Sequence, residues 1–259
     1  DLCDNLMTCG SIWFQEPFYH KHYRRFVREL VRPTVDVLEW DAESGEGHLT
    51  ALLRSMMINV AGYHGMLSVI VEASSRFDCY LQDSESLDPN LRAAVYNIVV
   101  ANDGKRRYDQ MLDLYRLATM SEEKNRCLRA LGSARDVYLL RHALEFGFSS
   151  EVRSQDMMFV MAGVANNPLG RDIAWQFLQE NWQEFKDRYH GGAISLFSRM
   201  IGMVTSDFAH EEKAREIEEF FLSHDASGAE RTIRQSLERV RWNAHFLAYS
   251  REVVGQWLD

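Results

Sequence analysis

Apolar side chains recur along this chain at intervals of three and four residues, the spacing that places them on one face of an α-helix. The clearest series contains Trp175, Leu178, Trp182, Phe185 and Tyr189. It predicts one long helix with a buried apolar face. Asn167 and Pro168 predict where this helix begins, because asparagine caps helices and proline suits the first helical position. Gly191 and Gly192 predict its end.

Other segments carry similar boundary signals. Ser227 and Glu230 have the spacing of a capping box, which predicts another helix start. The apolar stripe behind them contains Ile233, Leu237, Val240, Ala244 and Leu247. Ser121 and Gly132 predict the two ends of a further helix, and Ile217 to Phe221 indicates a shorter one. The whole pattern predicts about eleven or twelve helices of roughly 10–20 residues.

The arrangement of these helices predicts the fold class. No segment alternates convincingly like a strand, and Tyr96 to Ala101, the nearest candidate, continues a helical spacing. Short helices in antiparallel pairs, without one long heptad seam, predict an all-α protein: an α-α superhelix, or HEAT/armadillo-like solenoid. The acidic loops Asp41 to Gly47 and Asp83 to Pro89 do not resemble linkers between domains. We therefore predict a single domain over residues 1–259.

Composition and charge narrow the classes of partner. The 259 residues include only fifteen glycines and four prolines, which favours helices over the turn-rich all-β folds. A formal net charge of −9 makes nucleic-acid binding through a broad basic face improbable. The basic clusters Lys21 to Arg25 and Lys105 to Arg107 are surrounded by acidic residues. They are predicted to be solvated helix faces.

Features linked to membranes and secretion are missing from the sequence. It has no apolar run of the ~20 residues that span a bilayer, and its N-terminus lacks the pattern of a signal peptide. Four cysteines are too few for a disulfide framework at this length. These observations predict a cytoplasmic protein that does not bind membranes.

The sequence contains no self-sufficient catalytic motif. From His210 to Ala214 it reads His-Glu-Glu-Lys-Ala, so alanine replaces the second histidine that a zinc peptidase helix needs. No pair of cysteines has the spacing of a zinc site, and neither a nucleophile elbow nor a phosphate-binding loop occurs. We therefore predict no metal, no cofactor and no catalytic residue within this chain.

Several stretches of sequence together resemble one known family. They are Glu122–Arg126 with Leu131 and Gly132, Val152–Asp156, Val164–Trp182, Ala229–Ile233, and Gly47–Leu49 with Leu53 and Arg54. Their order and spacing resemble the C-terminal helical domain of the gluzincin zinc aminopeptidases. The puromycin-sensitive type is the most similar, and the antigen-trimming aminopeptidases of the endoplasmic reticulum are more distant.

The resemblance implies a function in a larger enzyme. In that family the C-terminal domain is an α-superhelical bowl that encloses the peptide substrate. Zinc, its ligands and the catalytic glutamate belong to an upstream domain of the same polypeptide, so this chain alone is expected to be inactive. The sequence departs from the family at Glu39, where relatives tend to have glycine before the tryptophan. It also departs at Asn166, where the antigen-trimming relatives have an arginine.

Polar residues near predicted helix starts are the candidates for contact with the peptide. They are Arg54, Arg153, Gln155, Asn166 and Asn167. Each has a purely structural alternative: Asn167 is suited to capping a helix, and arginines pair with carboxylates between repeats. The alternative function for the whole chain is a stand-alone helical-repeat scaffold that binds a protein or peptide without catalysis.

The N-terminal edge predicts a further property. Met7, Ile12, Trp13 and Phe14 precede any polar capping unit, and a solenoid that lacks such a unit exposes apolar side chains. We therefore expect an apolar patch at this edge that docks the upstream domain or leads to self-association.

Overall fold

The computed structural model describes residues 2–189 and 194–258, and within these ranges it contains fourteen α-helices and no strand. The helices are α1 (Leu2–Ile12), α2 (Arg24–Leu38), α3 (His48–Tyr63), α4 (Leu67–Gln82), α5 (Pro89–Asn102), α6 (Gly104–Leu117), α7 (Ser121–Leu131), α8 (Val137–Phe148), α9 (Met157–Asn166), α10 (Arg171–Glu180), α11 (Trp182–Tyr189), α12 (Ile194–Thr205), α13 (Glu211–Ser223) and α14 (Glu230–Leu258). A π-helical turn, Tyr19–Tyr23, leads into α2, and a 3₁₀ turn, Ser154–Asp156, leads into α9. The predicted all-α class is confirmed.

The helices form two layers that follow the chain. In the inner layer α3, α5, α7, α9, α12 and α14 each pack against the next. The helices α4, α6, α8, α10 and α13 lie against these inner helices and form the outer layer. The helices α5, α7, α9 and α12 therefore each bury side chains against two inner neighbours and at least one outer partner. This stacking of helix pairs is the predicted α-superhelix.

Short polar side chains begin several of these helices. The Asp88 carboxylate accepts a hydrogen bond of 2.7 Å from the backbone N–H of Asn90, and proline occupies the first position of α5. Asp136 accepts in the same way from the N–H of Tyr138 at 2.8 Å and begins α8. Such caps satisfy N–H groups that have no partner inside the helix. The predicted helix from Ser121 to Gly132 is confirmed as α7.

The predicted long helix after Asn167 is wrong in its boundaries. All five residues of its apolar series are buried, but the helix begins at Arg171 and is interrupted at Asn181. The Asn167 side chain accepts from the N–H of Leu169 at 3.1 Å and holds a turn instead of a helix start. The Asn181 amide donates to the Phe177 carbonyl at 2.8 Å, which terminates α10. The predicted end at Gly191–Gly192 lies outside the described residues.

The capping box predicted before α14 is also wrong. The Ser227 hydroxyl donates to the Asp225 carboxylate instead of capping α14. The Glu230 carboxylate accepts from the N–H of Gly228 at 2.9 Å, and α14 begins at Glu230 itself. Of the stripe predicted on this helix, Leu237, Val240 and Leu247 are buried, whereas Ile233 and Ala244 are partly buried.

The two ends of the described chain pack against each other. The Trp13 indole N–H donates to the Ser250 hydroxyl at 2.8 Å, and its ring stacks on Phe246 with centroids 5.7 Å apart. Arg251 pairs with Glu16 at 2.8 Å. The predicted exposed N-terminal edge is therefore wrong: Trp13 is 6% exposed because the long helix α14 returns to cover it. Self-association through that edge loses its physical basis.

One basic cluster is not the solvated face that the sequence predicts. Lys105 and Arg106 are exposed, but the Arg107 side chain is fully buried. Its guanidinium pairs with Asp78 at 2.6 Å and with Asp103 at 3.1 Å. These two ion pairs fasten α6 to α4 and to the residue between α5 and α6.

Within residues 2–189 and 194–258, no single helix is long and apolar enough to cross a bilayer. Together α3 and α4 have the length and composition of a span, but the two helices meet at 113°.

Candidate functional site: an arginine-lined cavity

A cavity of about 510 Å³ lies where four inner helices end. The last turns of α3, α5, α7 and α9 form its wall, and the segment that leads into α2 forms the opposite side. The residues that line it include Met7, Phe14, Tyr19, His20, Arg24, Asn59, Tyr63, Asn97, Ile98, Arg129, Ser133, Arg135, Asn166, Asn167 and Leu169. The superhelix thus surrounds a concave space whose largely apolar wall carries several polar and charged side chains.

Two glycines set the spacing of the cavity wall. A Cβ atom on Gly132 would lie 2.2 Å from the carbonyl carbon of Gly163, and one on Gly163 would lie 2.4 Å from the carbonyl oxygen of Arg129. The backbones at the ends of α7 and α9 are therefore in direct contact. Any larger residue at either position must push the two helices apart, because the obstructing atoms are backbone atoms.

The charge of the cavity is opposite to that of the whole chain. Arg24, Arg129 and Arg135 line it, and none of the described lining residues is acidic. Burial lowers the pKa of Arg135, and the nearby charge of Arg24 lowers it further. Arginine stays protonated despite such a shift. The cavity therefore concentrates positive charge in a chain whose net charge is −9.

Two tyrosines contribute neutral hydrogen-bonding groups beside these arginines. Burial raises the pKa of Tyr19 and of Tyr63, and their side chains hydrogen-bond to each other. Both hydroxyls therefore stay protonated over the physiological pH range. Arg24 donates to the Tyr63 carbonyl at 3.4 Å, which places its guanidinium at the end of α3. Guanidinium and phenol groups together provide the donors that a carboxylate accepts.

Two of the residues predicted from the sequence line this cavity. Asn166 is exposed into it at the last position of α9. Asn167 is half-buried, and its amide donates to the carbonyls of Gly132 and Ala134 at 2.9 and 2.7 Å. The Asn167 side chain therefore joins the loop after α7 to the loop after α9, whereas Asn166 is available to a ligand.

The other three predicted residues lie elsewhere. Arg54 is buried in an ion pair with Glu46 and donates to the Leu38 carbonyl at 2.9 Å. Arg153 pairs with Asp156 at 2.6 Å, and Gln155 is exposed in the 3₁₀ turn before α9. None of the three lines the arginine-lined cavity. Their contact with a peptide stays a prediction, and for the two arginines the structure shows an ion pair within the domain.

Four residues that define the site were not predicted from the sequence: Tyr19, Arg24, Tyr63 and Arg135. A partial signal existed for Arg24, which belongs to the basic cluster Lys21 to Arg25. That cluster was predicted to be solvated, and the prediction is wrong for Arg24 because the π-helical turn before α2 directs it to the cavity. Tyr63 is the last residue of α3 and Arg135 lies between α7 and α8, so only the tertiary fold brings them together.

The described residues do not fit a zinc ion. Residues 2–189 and 194–258 contain no group of three or more His, Cys, Asp and Glu side chains that could hold a metal. His210 precedes the first residue of α13, and the position one turn later is the fully buried Ala214. A zinc site of the peptidase type needs a second histidine there.

The fold and the cavity define an α-superhelical domain that surrounds a positively charged binding space. Sequence comparison gives the same class: the family model described as ERAP1-like C-terminal domain matches residues 1–241. The chain therefore belongs to the family of ERAP1-like C-terminal domains.

The chain is similar to aminopeptidases of plants and of animals. The chain is 38% identical to Aminopeptidase M1 of Arabidopsis thaliana over 81% of this chain and 24% of the relative. It is 30% identical to Aminopeptidase A of Gloydius brevicauda over 96% of this chain and 26% of the relative. It is 26% identical to the Puromycin-sensitive aminopeptidase of Caenorhabditis elegans over 96% of this chain and 27% of the relative. The chain thus spans about a quarter of the length of the relatives it matches.

Proposed function

We propose that this chain is the substrate-enclosing C-terminal domain of a zinc aminopeptidase, which removes residues from the N-terminus of peptides. The family membership supports this proposal, and the observation that carries it is the cavity with three arginines, two neutral tyrosines and no carboxylate among its described lining residues. The catalytic domain and its zinc belong to the upstream part of the same polypeptide.

The chemistry of the cavity fits a peptide chain. A peptide carries one α-carboxylate and many backbone carbonyls, all of which accept hydrogen bonds. Arg24 and Arg135 repel each other across the cavity, and a carboxylate between them relieves that repulsion. The side-chain amides of Asn59 on α3 and Asn97 on α5 also line the cavity and can hydrogen-bond to a peptide backbone.

A binding measurement on the 259-residue chain tests this proposal. A fluorescent peptide with a free carboxylate is titrated with the chain and followed by anisotropy, and an amidated copy of the peptide is compared with it. We expect Arg135→Gln to weaken binding of the free peptide about tenfold, as for loss of a charge-assisted hydrogen bond. Arg106→Gln, on the exposed face of α6, is the matched control and should leave binding unchanged.

The same binding experiment can also contradict the proposal. Equal affinity of the free and amidated peptides, with no effect of Arg135→Gln, would show that the cavity does not recognise a carboxylate. Equal loss in Arg106→Gln would mean that binding depends on general charge.

The division of the enzyme between two domains is tested separately. We propose that the purified chain binds no stoichiometric zinc and hydrolyses no aminoacyl substrate, because the upstream domain supplies both functions. Metal analysis and a fluorogenic aminoacyl assay check this proposal. The mass of the endogenous polypeptide should match the full length of the relatives, about three and a half times this chain. A natural protein of only this length would instead favour a stand-alone scaffold.

The proposed location and domain organisation rest on simpler observations. All four cysteines are free thiols, which supports a reducing compartment such as the cytoplasm. The contact between Trp13 and α14 supports a single folding unit, because it joins residues 237 positions apart. Cell fractionation tests the location, and limited proteolysis tests the single folding unit.

A further inference from the structure

A second cavity, of about 390 Å³, lies between the segment after α1 and the helices α10 and α13. Phe14 and Pro168 line both this cavity and the larger one, so the two are neighbours. The lining of the smaller cavity differs because it combines apolar side chains with both signs of charge. The Arg171 guanidinium is the charged group that determines which ligands this cavity can bind.

Arg171 is a buried cation without a counter-ion. The residue is 8% exposed, and its Nε atom has no hydrogen-bond partner. A terminal nitrogen donates to the Ser11 hydroxyl, and in the described part of the chain no carboxylate lies within the 4.0 Å of an ion pair. Arg171 is also the first residue of α10, where the helix dipole is positive. An uncompensated buried guanidinium at this position is unfavourable unless an anion binds.

The carboxylates near Arg171 are committed to other cations. Asp172 pairs with Lys213 at 2.9 Å, and Lys213 also pairs with Glu216 at 2.7 Å. Asp207, whose charge acts on Arg171, pairs with Arg239 at 3.0 Å. The protein therefore places acids close to Arg171 but leaves its guanidinium free for an external carboxylate.

The remaining lining indicates the rest of the ligand. Glu212 is exposed at the cavity and has no ion pair among the described residues, so it can accept a hydrogen bond from an ammonium group. Ile12, Phe208 and Leu247 form apolar wall. A doubly charged phosphate is disfavoured, because four carboxylates line the same cavity. A singly charged carboxylate next to an ammonium group avoids this repulsion.

We propose that the cavity at Arg171 binds a free α-amino acid with an apolar side chain. Arg171 and Ser11 hold its carboxylate, Glu212 faces its ammonium group, and the apolar wall contacts its side chain. This inference does not depend on the proposed function, since it concerns a different cavity and a different set of residues.

Isothermal titration of the 259-residue chain with leucine tests the proposal. Leucinamide lacks the carboxylate, and 4-methylpentanoate lacks the ammonium group, so the three probes separate the two contacts. We expect leucine to bind most tightly, 4-methylpentanoate more weakly, and leucinamide not detectably. Arg171→Gln should weaken leucine binding at least tenfold, whereas Arg215→Gln, an exposed arginine on α13 outside the cavity, should leave it unchanged.

Thermal unfolding separates a binding arginine from a structural one. Without ligand, Arg171→Gln should unfold at the same temperature as the wild type or a higher one, because an unpaired buried charge is removed. The rise in unfolding temperature caused by leucine should disappear in this variant. Leucine and leucinamide binding equally, or a marked loss of stability in Arg171→Gln without ligand, would overturn the proposal.

Discussion

Arg107 and Arg171 are both buried arginines, but they have opposite surroundings. Arg107 lies in the outer layer, where its guanidinium bonds to Asp78, Asp103 and the Ser74 hydroxyl. Arg171 lines the smaller cavity and bonds to one serine hydroxyl. The first arginine is fully satisfied and holds helices together. The second has spare capacity, which is the property of a group that binds something else.

Two further buried side-chain atoms of the described residues have no hydrogen-bond partner. The Nε2 atom of the buried His64 has no partner, and His64 follows α3 directly beside the cavity residue Tyr63. The outer layer between α4 and α6 contains no such atom among its described buried side chains. The Asn125 Oδ1 atom on α7 also has no partner and lines neither cavity, so of these three residues only Arg171 lines a cavity.

The largest expected effect compares the two arginines directly. Arg107→Met should lower the free energy of unfolding by roughly 3 kcal/mol, because it removes several charge-assisted hydrogen bonds at once. The loss should not be larger, because the Asp78 carboxylate is half-exposed and becomes solvated when its partner is removed. Arg171→Met should change stability by less than about 1 kcal/mol. Urea denaturation of both variants measures the difference.

Arg107→Lys is the control for this comparison. Lysine keeps the charge but loses the fork of donors. The free energy of unfolding of this variant should therefore lie between those of the wild type and Arg107→Met. If the two methionine variants lose equal stability, the contrast between a satisfied and an unsatisfied arginine is wrong.

The sequence predicted the layers of this fold better than their connections. The spacing from Trp175 to Tyr189 correctly predicts five buried side chains, because local periodicity reports which face of a helix is apolar. The interruption at Asn181 does not change that spacing, since α11 begins at the next residue. Periodicity alone therefore could not reveal it.

Contacts between distant residues explain the other errors. Trp13 was predicted to be exposed, but its partner Ser250 is 237 residues away, and no local pattern encodes that contact. For the same reason, only part of the candidate site could be predicted from the sequence. Asn166 and Asn167 belong to a recognisable motif, whereas Arg24 and Arg135 become neighbours only when the superhelix brings the ends of its inner helices together.

The second prediction concerns the pH dependence caused by His64. Burial lowers its pKa from 6.5 to about 4, so the unfolded chain binds a proton before the folded chain does. Stability should therefore fall as the pH decreases from 6.5 to 4, by about 3 kcal/mol in total from this group. Stability measured by urea denaturation across this range checks the slope.

His64→Asn separates this group from the carboxylates. Asparagine can still donate to the Val60 carbonyl, which the His64 Nδ1 atom contacts at 2.9 Å, but it does not titrate. The slope between pH 6.5 and 4 should become shallower in this variant. An unchanged slope would assign the pH dependence to other groups.

The third prediction distinguishes the two adjacent asparagines of the cavity. Asn167→Ala should lower the free energy of unfolding by about 1–2 kcal/mol, because the carbonyls of Gly132 and Ala134 lose their donor. Asn166→Ala should cost less than about 0.5 kcal/mol, since its side chain is exposed. Thermal or chemical denaturation of both variants measures this. Similar losses would mean that Asn166 also has a structural role.

The smallest expected effect compares two neighbours in one basic cluster. Arg25 is exposed and pairs with Glu29 at 2.7 Å one turn along α2, whereas Arg24 lines the arginine-lined cavity. Salt screens such an exposed pair, so Arg25→Gln should lower the unfolding temperature by about 1 °C or less at physiological ionic strength. Arg24→Gln should also leave stability nearly unchanged but should weaken binding of the peptide with a free carboxylate. Peptide binding, measured by anisotropy, should therefore weaken in Arg24→Gln but not in Arg25→Gln. The unfolding temperature should change little in either variant. A peptide-binding loss in Arg25→Gln as large as that in Arg24→Gln would show that the basic cluster acts through its overall charge and not through the one arginine that the fold turns inward.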